Sequence, residues 1–505
     1  MSVEREDRRA SIARALVSVP LLAGVALAGT VMLPPLIIGG LLLAVSVFYL
    51  SRRAVLRWDV GLIVFTLIIM FIPIRRFALP IPLPFALEPY RVALLILLGA
   101  VILALLTEPT FVWRPVRFGW QIGIFIATLT ASISFNGTDL VESALASTAL
   151  GALVNMLIML SVFFIVRQLL DSESQVMLLL QMLVSAGGIV GFFAVVERFT
   201  RVNIFLRINR IIPLDSLTEE STAYRAGGNR SYASAQHPIA LSVMMCMLIP
   251  LAIYLMKYSP WPRKVLNRRV VYGMAAFWMV AGIAMAVSRT AMVTIGVVMI
   301  VVMIFRPFLG ISLSILALPL LALGALTVPK VFNELIGSFF DFNGLIASQY
   351  TSAGSAGAGR LADLDPAMKL VAAHPYFGTG VGGRIVVGPE RNSFILDNQV
   401  LGSLLDTGIV GVVGLFALTV APIFAVMRFS FKRDVDPRHS DLAFALAASL
   451  VANVAALYFY DAFGFLQTFF IFCMVLAISA WLLTEGHLSK GPARETVSAK
   501  HRAYT

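Results

Sequence analysis

Apolar runs of about twenty residues repeat along nearly the whole chain, separated by short charged or proline-bearing stretches. A membrane-spanning helix needs ~20 mostly apolar residues, and fewer inside a bundle, so each run is bounded by its flanking charges and prolines. The first run, Leu16 to Leu50, is too long for one crossing and is interrupted at Pro34-Pro35, which predicts two helices joined by a tight turn. Spans follow at Val60–Ile74, Val92–Leu106, Phe118–Phe135, Ala146–Val166 and Gln175–Val196. Four more are predicted at Ile239–Leu255, Val270–Val287, Met292–Phe305 and Leu309–Val328, and three at Ile409–Met427, Leu442–Tyr460 and Phe465–Leu483. The pattern predicts an all-α, polytopic transmembrane helical bundle of about 14 helices, within a range of roughly 12–14.

This divides the chain into a tail over 1–15, transmembrane helices over 16–196, a first long loop over 197–238 and central helices over 239–329. A second long loop with a re-entrant segment covers 330–408, C-terminal helices cover 409–484, and a tail covers 485–505. Both long loops are expected to carry short helices.

Charge fixes the expected sidedness. The basic stretches SRRAVLR, KYSPWPRKVLNRR and FKRDVDPRHSD, with Arg114, Arg117 and Arg306, all fall on one side of the predicted spans, which the positive-inside bias makes cytoplasmic. Both long loops then lie outside and both termini inside. Only the loop of Arg75 and Arg76 departs from the pattern. The N-terminal MSVEREDRRASIAR could open a signal peptide ending at VALA, but the apolar character continues, so a retained first helix is expected.

Composition excludes other classes. With 59% hydrophobic and 13% charged residues, the chain carries more apolar surface than a soluble fold hides. The net charge of +12 is explained by the inside loops, so nucleic acid is not an expected partner. The two cysteines, Cys246 and Cys473, fall within apolar spans and suggest neither a disulfide framework nor a thiolate metal site. No metal-ligand spacing and no Ser/His/Asp set is evident.

The candidate chemistry therefore sits in the long loops. The first holds Arg198, Arg201, Arg207, Arg210, Arg225 and Arg230 but no lysine. Guanidinium groups bind oxyanions bidentately and stay charged, so this is what a phosphate or diphosphate site requires. Two facts support a plainer reading: arginine outnumbers lysine 32 to 7 overall, and Glu197, Asp215, Glu219 and Glu220 could pair with the loop arginines at the surface. Arg289, in SRTA at the outer end of a span, is either functional or snorkelling to the interface. His237 and His374 each precede a proline, and each is either a helix-end residue or a catalytic base.

In the second loop Asp365-Pro366 opens a short helix that His374-Pro375 ends, and FGTGVGG follows. Its glycines allow sharp turns or an anion-binding nest, with a flexible loop as the alternative. Asp397 and Asp406 lie before and within the segment that re-enters the bilayer, and Asp397-Asn398 could cap the helix beginning NQVLGSLL.

Four segments, RAGGNRSYASAQHPIAL, SRTA, GRLADLDPAMKLVAAHPYFGTGVGG and DNQVLGSLLDTGIVGVVG, resemble in order and loop placement the O-antigen ligase and polysaccharide polymerase superfamily, over roughly Arg225 to Gly414. The resemblance implies a membrane glycosyltransferase of a bacterial cytoplasmic (inner) membrane. It would take a glycan from a polyprenyl diphosphate carrier on the outer face and pass it to a glycan or lipid acceptor, with membrane lipid around it and no nucleotide sugar, cofactor or essential metal. It also implies that arginines hold the diphosphate: Arg289 and Arg225 match the superfamily's arginine positions, Arg360 resembles the one opening the third segment, and Arg230 is a further candidate. An outer-loop base would activate the acceptor hydroxyl. Asp397 stands where many members have histidine, so Asp397, His374 and His237 are all carried as candidate bases. The alternative function is a multi-span transporter or flippase for a lipid-linked glycan or small anion, which should show two repeated halves with broken helices; no convincing repeat is present.

Overall fold

The computed structural model describes residues 58–81, 86–107, 113–217, 224–225, 228–337, 364–384 and 398–486. The two spans expected over Leu16–Leu50, both tails beyond these limits, Arg360 and Asp397 lie outside the described residues.

The helices are α1 (Trp58–Phe71), α2 (Pro89–Thr107), α3 (Gly119–Phe135), the short α4 (Gly137–Glu142), α5 (Ala146–Leu169) and α6 (Glu173–Thr200). Next come α7 (Pro238–Tyr258), α8 (Val265–Ala286), α9 (Arg289–Phe305), α10 (Pro307–Thr327) and the one-turn α11 (Pro329–Phe332). The last are α12 (Leu364–Ala373), α13 (Gln399–Thr419), α14 (Ala421–Ser430), α15 (Pro437–Ala456) and α16 (Leu466–Trp481). Among the described residues nine helical segments are long and apolar enough to cross a membrane, and α1, α3 and α9 are shorter apolar helices. The chain is an all-α polytopic membrane bundle. Strand is confined, among the described residues, to two antiparallel pairs of two residues each: Phe77–Ala78 with Asp215–Ser216, and Tyr224–Arg225 with Gly228–Asn229.

The core is built on α7, α15 and α16, whose apolar windows are 83%, 72% and 94% buried, with α6, α8 and α9 packed around them. Helices α6 and α8 approach closely because a Cβ on Gly188 or Gly191 would run into the backbone of Ala275 or Trp278. In a bilayer such small-residue contact replaces the hydrophobic drive that packs helices in water. Helix α6 was expected to stop at Val196, yet it continues to Thr200, because the carboxylate of Glu197 is buried in hydrogen bonds rather than left in water.

One end of the bundle is tied by ion pairs between helices. There Arg167, fully buried, bonds Glu485 at 2.6 Å, Thr484 at 3.0 Å and the Pro115 carbonyl at 3.1 Å, and Arg114 reaches the same Glu485 at 3.3 Å. Lys257 and Arg306 share Asp441 at 2.9 and 3.5 Å, and Arg438 pairs with Glu173 at 2.9 Å. All of these lie at the ends expected to be cytoplasmic. The opposite end, the loop end, carries the 201–237 segment and the starts of α9 and α13.

Candidate functional site

The loop end is organised around the strand-poor segment Asn229–His237, which is held at almost every residue. The carboxylate of Glu197 accepts from the N–H groups of Tyr232 and Ala233 at 3.4 and 2.7 Å, fixing a left-handed turn at Ala233 (φ 48°). Arg198 donates to the Asn229 carbonyl at 2.6 Å, and Asn203 to that of Ala233 at 2.8 Å. From the bundle, Gln467 at the start of α16 donates to the Ile69 carbonyl at 2.9 Å and to Ser234 Oγ at 3.3 Å. The N–H of Ser231 meets the Met285 carbonyl at 3.2 Å. Glu197 is thus buried against the segment it positions, beside whatever charge it shares with the loop arginines. A buried carboxylate is stabilised by consecutive N–H donors, and here two of them come from the segment it positions.

That clamping brings two predicted arginines to one place. Arg230 donates from Nε to the Ala286 carbonyl at 3.0 Å, three residues before Arg289. Arg289 opens α9 and pairs with Glu334 at 3.2 Å, about a fifth exposed. The reverse turn between α8 and α9, left-handed at Val287 (φ 47°), puts both at the same helix ends. Arg225 lies in the two-residue strand that pairs with Gly228–Asn229 just before Arg230.

The candidate bases are distributed differently. His237 is the N-cap of α7, its Nδ1 accepting from Ile239 N at 3.2 Å, and its ring stacks on Phe465 at 5.6 Å. Phe465 stacks in turn on Tyr460 at 5.8 Å, and the Tyr460 carbonyl accepts from Gln399 N at 3.1 Å. His237 is therefore linked through two rings to the start of α13. There Asn398 is the cap, its Oδ1 accepting from Leu401 N at 3.0 Å, so α13 is capped by the residue after Asp397. Gln399 reinforces this point through Nε2 to Ser403 Oγ at 3.1 Å and by accepting from Phe463 N at 3.0 Å. His374 is exposed at the end of α12 and makes no side-chain hydrogen bond among the described residues; the structure does not bring it to His237 or to the arginines.

The glycine-rich loop has a definite task. Helix α13 breaks at Gly408 (φ 65°, ψ −165°), and the loop fills the break: Ile409 N donates to Pro375 O at 2.9 Å, Val410 N to Tyr376 O at 3.2 Å, and Thr379 N to Leu405 O at 3.0 Å. Ser132 of α3 donates to both Phe377 O and Asp406 O, at 2.7 and 3.0 Å. Every backbone group that the break releases within the bilayer-facing helix needs such a partner. Gly378 (φ 61°) lies so close to Leu405–Thr407 that any side chain would collide with their backbone. Arg384, just beyond the loop, pairs with Asp406. FGTGVGG is thus packed against α13 rather than flexible.

Sequence reasoning missed Glu197, Gln399 and Gln467 as positioning residues, since a polar residue at a helix end has many bland explanations. It also missed Arg76, whose guanidinium lies over the Tyr232 ring at 5.9 Å. The signal was present: Arg75 and Arg76 were the one basic pair on the wrong side of the charge pattern. Burial pushes the neighbouring Glu88 carboxyl up, against the opposing pull of the Arg75 N–H and the Arg91 charge.

Residues 274–416 match the family model described as O-antigen ligase, a little over a quarter of the chain running from α8 to α13. Arg289, Arg360, His374 and Asp397 fall inside the match, and Arg225, Arg230 and His237 precede it. No curated protein matches the chain.

Proposed function

With an O-antigen ligase-like chain as the premise, a membrane glycan-processing enzyme of polysaccharide biosynthesis with glycosyltransferase-like activity, we propose that it transfers a glycan from a polyprenyl diphosphate carrier to an acceptor hydroxyl at the loop end, on the outer face of a bacterial cytoplasmic membrane. The observation that carries the proposal is the family match around Arg289, in a structure that sets Arg230 beside the same helix ends. The match favours transfer over transport.

In this reading the acceptor oxygen bonds to the anomeric carbon as the carbon–phosphate-oxygen bond breaks. Arg289 and Arg230, with Arg225 and Arg360, stabilise the negative charge that gathers on the departing diphosphate. Fixed cationic groups at a bilayer surface supply there what a divalent ion supplies in other transfers. Asp397 takes the acceptor proton. Asn398 already caps α13, so the carboxylate is not needed as the cap. His237 is the next candidate, His374 the third because of its exposure.

The decisive variant is Asp397→Asn, which removes the base and keeps the size. Purified protein should bind lipid-linked donor normally and lose ~10² to 10⁴ in transfer rate; near-normal turnover would eliminate Asp397 and turn the search to His237. Orientation is tested separately. An impermeant thiol reagent on intact cells should label a cysteine placed by Ser355→Cys and not one placed by Arg268→Cys, with little background because Cys246 and Cys473 are buried. The reverse pattern would turn the whole bundle over.

A further inference from the structure

Outside this site, the first loop holds a cavity of about 330 Å³ lined by Arg201, Arg207 and Arg210 together with Asn203 and Asn209. Small-ligand sites run from ~300 to 1,000 Å³, so this one admits a headgroup-sized ion and not a glycan chain. The three arginines are exposed, and among the described residues none of their side chains makes an ion pair or hydrogen bond. Three guanidinium groups around one space repel one another, and an anion between them removes that repulsion.

Two observations separate this arrangement from a solvated charged surface. First, Arg201 ends α6 in the left-handed conformation (φ 58°), its N–H bonded to Glu197 O at 2.8 Å. That position favours glycine or asparagine, and a residue with a long side chain held there points to a use for the side chain. Second, the cavity is preformed. Asn203 is buried, bonded to the Ala233 carbonyl and accepting from Phe205 N at 2.9 Å, and Phe205 is fixed between Phe71 and Phe193. The turn that carries Arg207 and Arg210 is anchored through that ring. Around it Phe199, Ile204 and Ile211 are exposed, as an element lying on a bilayer surface requires.

We propose that Arg201, Arg207 and Arg210 form a second anion site, holding a phosphate group at the bilayer surface next to the Glu197-clamped segment. The phosphate is borne by a bilayer lipid headgroup or by a phosphorylated ligand in solution; the recognition chemistry is the same. The site stands whether or not transfer proceeds as proposed above.

The test titrates inorganic pyrophosphate by calorimetry into protein in phosphatidylcholine nanodiscs. Every protein carries Arg289→Ala, which weakens binding at the transfer site equally in all arms, so that differences between them report the second site. Adding Arg201→Gln, Arg207→Gln and Arg210→Gln together should weaken binding by at least about tenfold at an unchanged melting temperature. If the triple variant does not fold, Arg207→Gln and Arg210→Gln alone should each weaken binding about threefold. Doping the disc with phosphatidylglycerol assigns the source. A rise in apparent Kd in the parent but not in the triple variant identifies a lipid headgroup, and no change identifies a soluble phosphate ligand. Folded variants that bind pyrophosphate as tightly as the parent in the undoped phosphatidylcholine disc overturn the proposal.

Discussion

The two ends of the bundle handle arginine in different ways. At the end away from the long loops the cations meet carboxylates: Arg167 and Arg114 converge on Glu485, Lys257 and Arg306 on Asp441, and Arg438 on Glu173. At the loop end Arg289 and Arg384 also meet carboxylates, but Arg198 bonds the Asn229 carbonyl, Arg230 the Ala286 carbonyl, and Arg76 lies over the Tyr232 ring. An ion pair neutralises both partners and ties two helices together. A bond to a carbonyl orients the guanidinium without itself neutralising it. The first arrangement is suited to holding a bundle closed, and the second to presenting charge.

Four changes break or sharpen this contrast. The largest effect is expected from Arg167→Ala, which leaves the Glu485 carboxylate and the Pro115 and Leu170 carbonyls without their buried partner: about 3–5 kcal/mol of stability should be lost, with transfer per folded molecule unchanged. Denaturation of the detergent-solubilised protein measures the first and a donor assay the second; loss of specific activity would blur the distinction between the ends. Arg289→Ala should do the converse, costing ~2–4 kcal/mol of transition-state stabilisation, about a hundredfold in rate, at a melting temperature near that of the parent. Arg289→Lys should recover little of it, because an ammonium cannot bind two phosphate oxygens as a planar fork does.

Gly408→Ala tests the packed break in α13. A side chain at φ 65° beside Tyr376 should cost about 1–3 kcal/mol and increase proteolysis within residues 374–384, whereas Gly402→Ala, with open space around it, should not. The smallest effect belongs to Glu88. Its folded-state carboxyl holds its proton above the ordinary value, so the unfolded chain releases that proton first as pH rises. Its contribution is fully present below the ordinary carboxylate value of 4.5 and is lost as pH rises through the folded value. Glu88→Gln should flatten that part of the stability profile by under about 1 kcal/mol; a profile identical to the parent's would show that the carboxyl is not held up.

Much of the architecture was legible beforehand. Every predicted span that falls among the described residues is helical, with ends shifted by a few residues, as for α6, except that Ile409–Met427 is divided between α13, which starts ten residues earlier, and α14. SRTA and HPYFGTGVGG pointed to the places where Arg289 starts α9 and where the loop meets α13. The use of the glycines was not legible, because a nest, a hinge and a plug for a broken helix all call for the same residue. Nor was Glu197, since sequence cannot distinguish a carboxylate facing water from one facing two N–H groups supplied by residues 35 and 36 positions away.

The sequence by itself determined that there are many spans, where along the chain they fall to within a few residues in most cases, and which ends carry the basic residues. Apolar length and charge asymmetry are local properties, and the bilayer reads them locally. Which span lies at the centre was decided only by the tertiary structure. Helix α10 and the segment Leu466–Glu485 have nearly equal mean hydropathies, 2.3 and 2.2, yet the first is 6% buried and the second 94%. Lipid tails are as apolar as neighbouring helices, so composition does not separate a lipid-facing helix from a central one. The separation comes from small residues that let backbones approach and from polar ends, such as Gln467 and Arg167, that find partners on helices distant in the chain.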